Sequence, residues 1–140
     1  MSVQIRPKLV VSDADAAIEL YGRVFGAVLV QRYSVGDAVV FAELELLGGT
    51  ITLKDADDAD PSPQTLGRPG VLMDVTCEDP DSLAAAVVAA GGAIVFEVAD
   101  QAYGARGGRV RDPFGHEWLL QTPLTLTGEE VQRRLDQLGR

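Results

Sequence analysis

The spacing of apolar residues predicts an amphipathic helix near the start of the chain, over residues 14–24. Its apolar positions recur at steps of three and four residues, a pattern that buries one face of a helix. They are Ala17, Ile18, Tyr21 and Phe25. Ser12 and Asp13 offer side-chain oxygens for the N-cap, and Gly26 stands where a left-handed residue ends a helix.

Extended segments surround this helix, and the second half of the chain repeats the same order. The first half has predicted strands at 3–11, 27–33, 38–46 and 50–54, with turns at Gly36-Asp37 and Gly48-Gly49. The second half has strands at 70–76, 94–98, 108–111 and 116–121 and a helix at 83–90, capped by Asp79 or Asp81. The helix-ending pairs Gly26-Ala27 and Gly92-Ala93 lie 66 positions apart. Such a constant offset indicates an internal duplication.

The duplication divides one domain, residues 1–140, into four parts. Module one spans 3–54, module two spans 70–122, and a helix is predicted over 124–140. Residues 55–69 are rich in Asp, Pro and Gly, which predicts a surface linker between the modules. In the final helix, Thr127 and Glu130 have the spacing of a capping box. Its apolar stripe consists of Val131, Leu135 and Leu138.

Composition and charge exclude several classes of protein. The 140 residues are 46% hydrophobic, enough for a packed core, but no apolar run approaches the roughly 20 residues that span a bilayer. The formal charge is −9, whereas nucleic-acid binding requires a basic face. We therefore expect neither a membrane nor a nucleic-acid partner. The single cysteine, Cys77, forms no internal disulfide, which favours a cytoplasmic location.

One segment carries a family resemblance. Tyr103-Gly104-Ala105-Arg106 precedes an Asp-Pro-Phe-Gly-His turn at 112–116. This segment resembles the closing hairpin of the vicinal oxygen chelate superfamily of glyoxalases, bleomycin resistance proteins and dioxygenases, and is most similar to the PhnB-like branch. The Ala-Ile-Glu-Leu-Tyr run at 17–21 resembles the first helix of the family. The resemblance covers about residues 5–122 and implies an α+β fold, in which two βαβββ modules form a curved mixed sheet with a cleft.

Enzymes of this family hold a divalent metal with four side chains from the first and last strands of the modules. The resemblance places these four positions at Arg6, Thr52, Gly70 and Leu119. Arginine has no lone pair to donate, glycine and leucine have no donor atom, and threonine is a weak ligand. The nearest substitutes are Glu45, Asp74, His116 and Glu117. We therefore expect no metal site and no cofactor.

The chain also lacks a recognisable set of catalytic residues. His116 is the only histidine and stands in a turn, where a structural role is favoured over a role as ligand or base. Cys77 lies beside Glu78 and Asp79, whose charges would raise the pKa of its thiol and suppress the thiolate. We accordingly assign no catalytic residue.

Strand alternation instead indicates a ligand-binding surface. It places these residues on the face toward the cleft: Arg6, Lys8, Thr52, Leu72, Asp74, Glu117 and Leu119. Tyr103 and Arg106 lie in a loop at the mouth and are suited to stack on or grip a flat ligand. Two alternatives stay open: the face consists of solvated sheet residues, or Arg106 holds its own loop.

These features favour a metal-free protein that sequesters a small organic ligand such as a natural-product antibiotic. The alternative is a metal-dependent lyase, isomerase or dioxygenase of the same superfamily with a displaced metal site. A third possibility is a structural or regulatory dimer without a ligand. The resemblance implies a homodimer. Whether a reaction is catalysed stays open at this point.

Overall fold

The computed structural model of the protein describes residues 2–139. The eight strands are β1 (Lys8–Val11), β2 (Val28–Val35), β3 (Ala38–Leu46), β4 (Gly49–Asp55), β5 (Leu72–Thr76), β6 (Ala93–Asp100), β7 (Arg106–Arg111) and β8 (Glu117–Gln121). The helices are α1 (Ala14–Phe25), α2 (Pro63–Leu66), α3 (Pro80–Ala89) and α4 (Gly128–Leu138). The order confirms the predicted α+β class with two βαβββ modules and a C-terminal helix.

Each module forms its own four-stranded mixed sheet. The strand orders are β1-β4-β3-β2 and β5-β8-β7-β6. In both sheets the first and last strands of the module are parallel neighbours, and the remaining pairs are antiparallel. The two orders are identical once the numbering is shifted by four strands, as expected for a duplicated βαβββ unit.

By their internal contacts, the described residues divide into two compact units. The first consists of residues 2–71 and 113–116, and the second of 72–112 and 117–139. The turn 113–116 follows β7 in sequence but belongs to the first unit. There the ring of Phe114 meets that of Tyr21 edge-on at 6.1 Å, and His116 Nε2 donates to the carbonyl of Val10 at 2.8 Å.

The core of each unit lies between its sheet and its long helix. In the first unit, alternate strand residues such as Leu9, Leu44 and Leu53 are buried on the side of Ala17 and Tyr21 of α1. In the second unit the buried strand residues are Val75, Val110, Trp118 and Leu120, and α3 contributes Ala84 and Val87. Trp118 Nε1 donates to Asp112 at 2.9 Å, so the one polar atom of this indole is satisfied inside the core. The opposite face of each sheet carries the strand residues that alternate with this core.

Several boundaries differ from the sequence-based expectation. The segment 55–69 contains the helical turn α2, whose N-cap Ser62 accepts from the backbone N–H of Thr65. A single turn is too short for hydrophobic periodicity to reveal it. Strand β1 begins at Lys8 rather than Val3, and α4 begins at Gly128, directly after its cap Thr127. None of the four helices, as described, is long and apolar enough to span a bilayer.

Candidate functional site

The sheet of the second unit exposes one face on the side opposite its core. Strand register sets two rows of side chains across this face. One row contains Asp74, Leu119 and Arg109. The other contains Leu72, Glu117 and Arg111. Residues paired in register point to the same side of a sheet, so these charged and apolar groups are neighbours.

A concave pocket of about 240 Å³ opens on this face. Strands β6, β7 and β8 and the loop 101–105 form its walls. The lining residues are Phe96, Gln101, Tyr103, Gly107, Gly108, Arg109 and Leu119. The lining therefore combines two aromatic rings and one leucine with a single charged side chain, that of Arg109. Few polar groups in an apolar concavity are typical of small-molecule sites.

Glu117 lies between Arg109 of the pocket lining and Arg111 of the neighbouring row, and it contacts both. Its side chain is 9% exposed, and Arg111 donates to Oε2 through Nε and Nη2 at 3.2 and 3.0 Å. Arg109 reaches the other oxygen only through Nη1, at 3.5 Å. Arg111 thus makes the stronger pair with this carboxylate, and Arg109 is only weakly engaged by it.

Two hydrogen bonds hold the loop that carries Tyr103. The Tyr103 hydroxyl donates to Gln121 Oε1 at 3.1 Å, and Gln101 Nε2 donates to the carbonyl of Gly107 at 3.0 Å. Gly104 adopts φ +100°, and a Cβ built on it would lie 2.4 Å from Cδ1 of Leu126. The C-terminal segment therefore packs directly against the tip of the pocket loop.

Arg106, the predicted partner of Tyr103, lies outside the pocket lining. It donates to both oxygens of Asp81 at 2.8 Å and to Asp100 at 3.2 Å. These carboxylates, Asp81 first, raise the pKa of Arg106 further above its ordinary value. The geometry matches the alternative in which Arg106 holds its own loop, because its guanidinium is occupied by protein acceptors.

The remaining predicted residues, Arg6, Lys8 and Thr52, come together on the sheet of the first unit. Lys8 and Thr52 are neighbours in register, and Thr52 is only 3% exposed. Arg6 donates to Glu43 at 3.0 Å. Arg6 and Lys8 also lie 5.7 and 5.1 Å from the centre of the Phe41 ring. Phe41 and Glu43 were not predicted as members of this face.

The main omission from the sequence-based site is Arg109, together with Phe96, Gln101, Gly107 and Gly108. The predicted face contains residues of the first and last strands of each module and none of β6 or β7. Extending the same alternation to β7 from its register with Leu119 would have placed Arg109 on the exposed face. The position of Phe96 is harder to predict, because β6 and β7 shift register on both sides of it.

The residues at the family's metal positions do not fit a divalent metal. Arg6 and Gly70 precede their strands, and register makes Lys8 the neighbour of Thr52 and Asp74 the neighbour of Leu119. One pair offers an ammonium and a hydroxyl, and the other offers a single carboxylate beside an apolar side chain. Within residues 2–139, no three His, Cys, Asp or Glu side chains group closely enough to hold a metal. We therefore derive no metal-dependent step from them.

The two other candidate reactive residues, His116 and Cys77, lie in surroundings that favour a structural role. His116 is 5% exposed, and since a carbonyl only accepts, its Nε2 carries the proton donated to Val10. Burial, followed by the charge of Asp79, raises the pKa of the Cys77 thiol. Neither environment favours catalysis, because the imidazole is fixed in a turn and the thiol is kept protonated.

Comparisons with known proteins agree with this architecture. A model of the Glyoxalase/Bleomycin resistance protein/Dioxygenase superfamily matches residues 3–120. An uncharacterized protein from Mycobacterium bovis is 33% identical over 142 residues, which cover 96% of this chain and 93% of that protein.

Two solved structures share the fold. TioX from Micromonospora sp. ML1 is 26% identical with a TM-score of 0.65, over 86% of this chain and 98% of that one. FosX, a fosfomycin resistance protein from Listeria monocytogenes, has a TM-score of 0.67 at 16% identity, over 94% of this chain and 98% of that one, and shows the fold alone. From the match over residues 3–120 and the mycobacterial relative, the chain belongs to the glyoxalase/bleomycin resistance protein/dioxygenase superfamily.

Proposed function

We propose that the protein binds a small organic molecule in the pocket of the second sheet. The observation that carries the proposal is the pocket of about 240 Å³ in which Phe96, Tyr103 and Leu119 surround one arginine. Its loop is already held in place by protein hydrogen bonds, so little ordering is needed when a ligand enters. Preorganised apolar concavities with one orienting polar group are the usual form of such sites.

The size of the pocket restricts what it takes. Sites for drug-sized ligands usually measure about 300–1,000 Å³, and this pocket is smaller. It suits a compound of one or two rings, or one ring system of a larger natural-product antibiotic. Because the residues at the family's metal positions do not fit a metal, the proposed activity is sequestration without a cofactor. The compound is held and later released unchanged.

The proposal includes a cytoplasmic homodimer. Strand β2 is exposed along all eight residues, and Val28, Leu29, Val30 and Val35 are among them. An exposed apolar strand at the edge of a sheet is a common pairing surface. Light scattering after gel filtration should give twice the chain mass of 14.9 kDa. A single species at the chain mass would remove the dimer from the proposal.

The binding test is a panel of small aromatic and aliphatic compounds, neutral, anionic and cationic, screened by thermal shift and then by titration. Compounds that bind the folded state should raise the melting temperature by mass action. Phe96→Ala and Tyr103→Ala should each weaken the best compound about tenfold, because each removes a ring from the pocket wall. Ile94→Ala, on the same strand but beside Val88 in a different groove, is the matched control and should leave affinity unchanged.

Two results would count against the proposal. One is that no compound raises the melting temperature, and the other is that Ile94→Ala weakens binding as much as Phe96→Ala does. Recovery of the compound after long incubation separates sequestration from catalysis. A chemically altered compound would contradict sequestration even if it bound in the pocket.

A further inference from the structure

Resting on the proposed function, we infer that the pocket selects a flat aromatic compound carrying one carboxylate or a similar planar anion. The inference depends on which hydrogen bonds the Arg109 guanidinium makes within the protein. Its Nη1 makes the long contact to Glu117, whereas its Nε is buried and donates to no acceptor within residues 2–139. A buried donor without an acceptor destabilises the ligand-free protein. A ligand that accepts a hydrogen bond from this Nε therefore gains binding free energy.

The chain itself shows what the Nε edge of an arginine binds. Arg32, Arg106 and Arg111 each use Nε together with Nη2 to hold an aspartate or glutamate, at distances of 2.7 to 3.2 Å. This planar two-donor edge matches the two oxygens of a carboxylate. Arg109 has the same edge, and its Nη2 has no hydrogen-bond acceptor in the described chain either. We therefore place the ligand's anionic group on this edge.

Access to the edge involves Phe96. The Arg109 guanidinium carbon lies 5.3 Å from the centre of the Phe96 ring, so the ring covers it. Phe96 is 61% exposed, which leaves this ring free to swing toward solvent. On ligand binding the ring moves off the edge and packs against the ligand instead. A flat aromatic compound replaces the ring–guanidinium contact with a ring–ring contact of similar strength.

The surrounding charges favour a single negative charge. Arg109 is the only charged residue of the lining, and Glu117 is already paired with Arg111. Asp74 stands on the same row, two strands from Arg109, with an exposed side chain. It would repel a second anionic group, as would the net charge of −9. These charges disfavour phosphates and dicarboxylates relative to a monocarboxylate.

The first sheet offers a matched control, because Lys8 also lies over an aromatic ring. Its Nζ is 5.1 Å from the centre of Phe41. Lys8→Gln removes one positive charge, as Arg109→Gln does, but from a different sheet. Arg109→Lys keeps the charge and removes the two-donor edge. Both Arg109 variants leave Glu117 paired with Arg111, and equal melting temperatures would verify that they fold.

The probes are naphthalene-2-carboxylate, its neutral carboxamide, cyclohexanecarboxylate and inorganic phosphate, titrated by calorimetry. We expect the aromatic carboxylate to bind at least tenfold more tightly than the other three. Arg109→Gln should weaken it at least tenfold and leave the carboxamide within twofold. Arg109→Lys should weaken it several-fold, and Lys8→Gln less than twofold.

Equal binding of carboxylate and carboxamide would overturn the inference, as would equal losses in Arg109→Gln and Lys8→Gln. Tighter binding of phosphate or of the aliphatic acid would also contradict it. Two further outcomes distinguish failure of this inference from failure of the proposed function. If neutral or cationic compounds bind and respond to Phe96→Ala while the aromatic carboxylate does not, only the ligand class is wrong. If nothing in the panel binds, the proposed function itself is wrong.

Discussion

Arg109 and Arg111 show how neighbouring residues of one type acquire different roles. Both belong to β7 and both face the same buried carboxylate, that of Glu117. Arg111 holds the carboxylate with Nε and Nη2, so this edge of its guanidinium is occupied by the protein. Arg109 is left with a long contact at one nitrogen and an unused edge at the pocket. This division, rather than the number of arginines, makes the pocket a candidate for binding an anion.

The surroundings of Cys77 lead to a prediction about the reactivity of its thiol. Burial, with a smaller contribution from Asp79, raises the pKa of its thiol, so less thiolate is present at pH 7.5 than in a free thiol of pKa about 8.5. Cys77 should therefore react with iodoacetamide more slowly than glutathione does. Asp79→Asn should speed the reaction only modestly, because asparagine still caps α3 and burial is unchanged. A thiol that reacts as fast as glutathione would contradict this account.

Single residues also mark where sequence-based prediction ends. Leu119 and Tyr103 were predicted as site residues from strand alternation and from the loop sequence, and both line the pocket. Arg106 was predicted by the same loop argument but lies in ion pairs with Asp81 and Asp100. A long flexible side chain reaches acceptors that are distant in sequence, 25 residues away for Asp81. Local patterns contain no information about such partners.

Among the elements, the pocket loop and the C-terminal segment are coupled through Gly104. Its φ of +100° is strained for any residue with a side chain, and an added Cβ would lie 2.4 Å from Leu126. We predict that Gly104→Ala destabilises the protein by about 1–3 kcal/mol and weakens pocket ligands by displacing Tyr103. Thermal melting and titration measure the two effects.

Gly128→Ala is the matched control for this prediction. Gly128 begins α4, and a Cβ there would meet nothing within 4 Å. The free energy of unfolding of Gly128→Ala should lie within about 0.5 kcal/mol of the parent value, as is usual for surface substitutions. If Gly104→Ala and Gly128→Ala behave alike, the contact between the loop and the C-terminal segment is unimportant.

Element prediction succeeded where a local signal decided the structure. The sequence offers Ser12 and Asp13 as caps of the first helix and Gly26 as its end, and the structure has the cap at Asp13 and the end at Gly26. Thr127 caps α4 as predicted, but the Glu130 carboxylate accepts from Arg133 and Arg134 instead of closing the capping box. Helix α4 buries none of its residues despite its apolar stripe. Which surface a stripe meets depends on tertiary packing, which periodicity does not encode. The short helix α2 was missed for the related reason that four residues show no period.

For the whole molecule, the contrast between net charge and local charge leads to a prediction about salt. The chain carries −9, yet the pocket presents one arginine and two aromatic rings. Charges further than about 8–10 Å from a site are screened at physiological salt. Affinity for an aromatic carboxylate should therefore fall less than tenfold between low and high salt. A change of about a hundredfold in either direction, nearly 3 kcal/mol, would indicate that charge rather than the shape of the pocket dominates the affinity.

The duplication explains the architecture of the molecule but not its site. Both units have the same strand order, and both place a cation over a ring on the sheet face opposite the core. Lys8 and Arg6 lie over the half-buried Phe41, and Arg109 lies over the exposed Phe96. The pocket of about 240 Å³ is built by the loop 101–105, and the turn Gly36-Asp37 in the corresponding place of the first unit is too short to build one. Function in this chain is therefore expected to be unequal between two similar halves.

The most direct test of the account is to locate the best compound of the panel on metal-stripped protein by intermolecular nuclear Overhauser effects. We predict contacts from the compound to the methyl groups of Leu119 and the rings of Phe96 and Tyr103, observed in the presence of a chelator. Contacts confined to Lys8 and Phe41 of the first sheet, or binding that returns only when a divalent metal is restored, would contradict it.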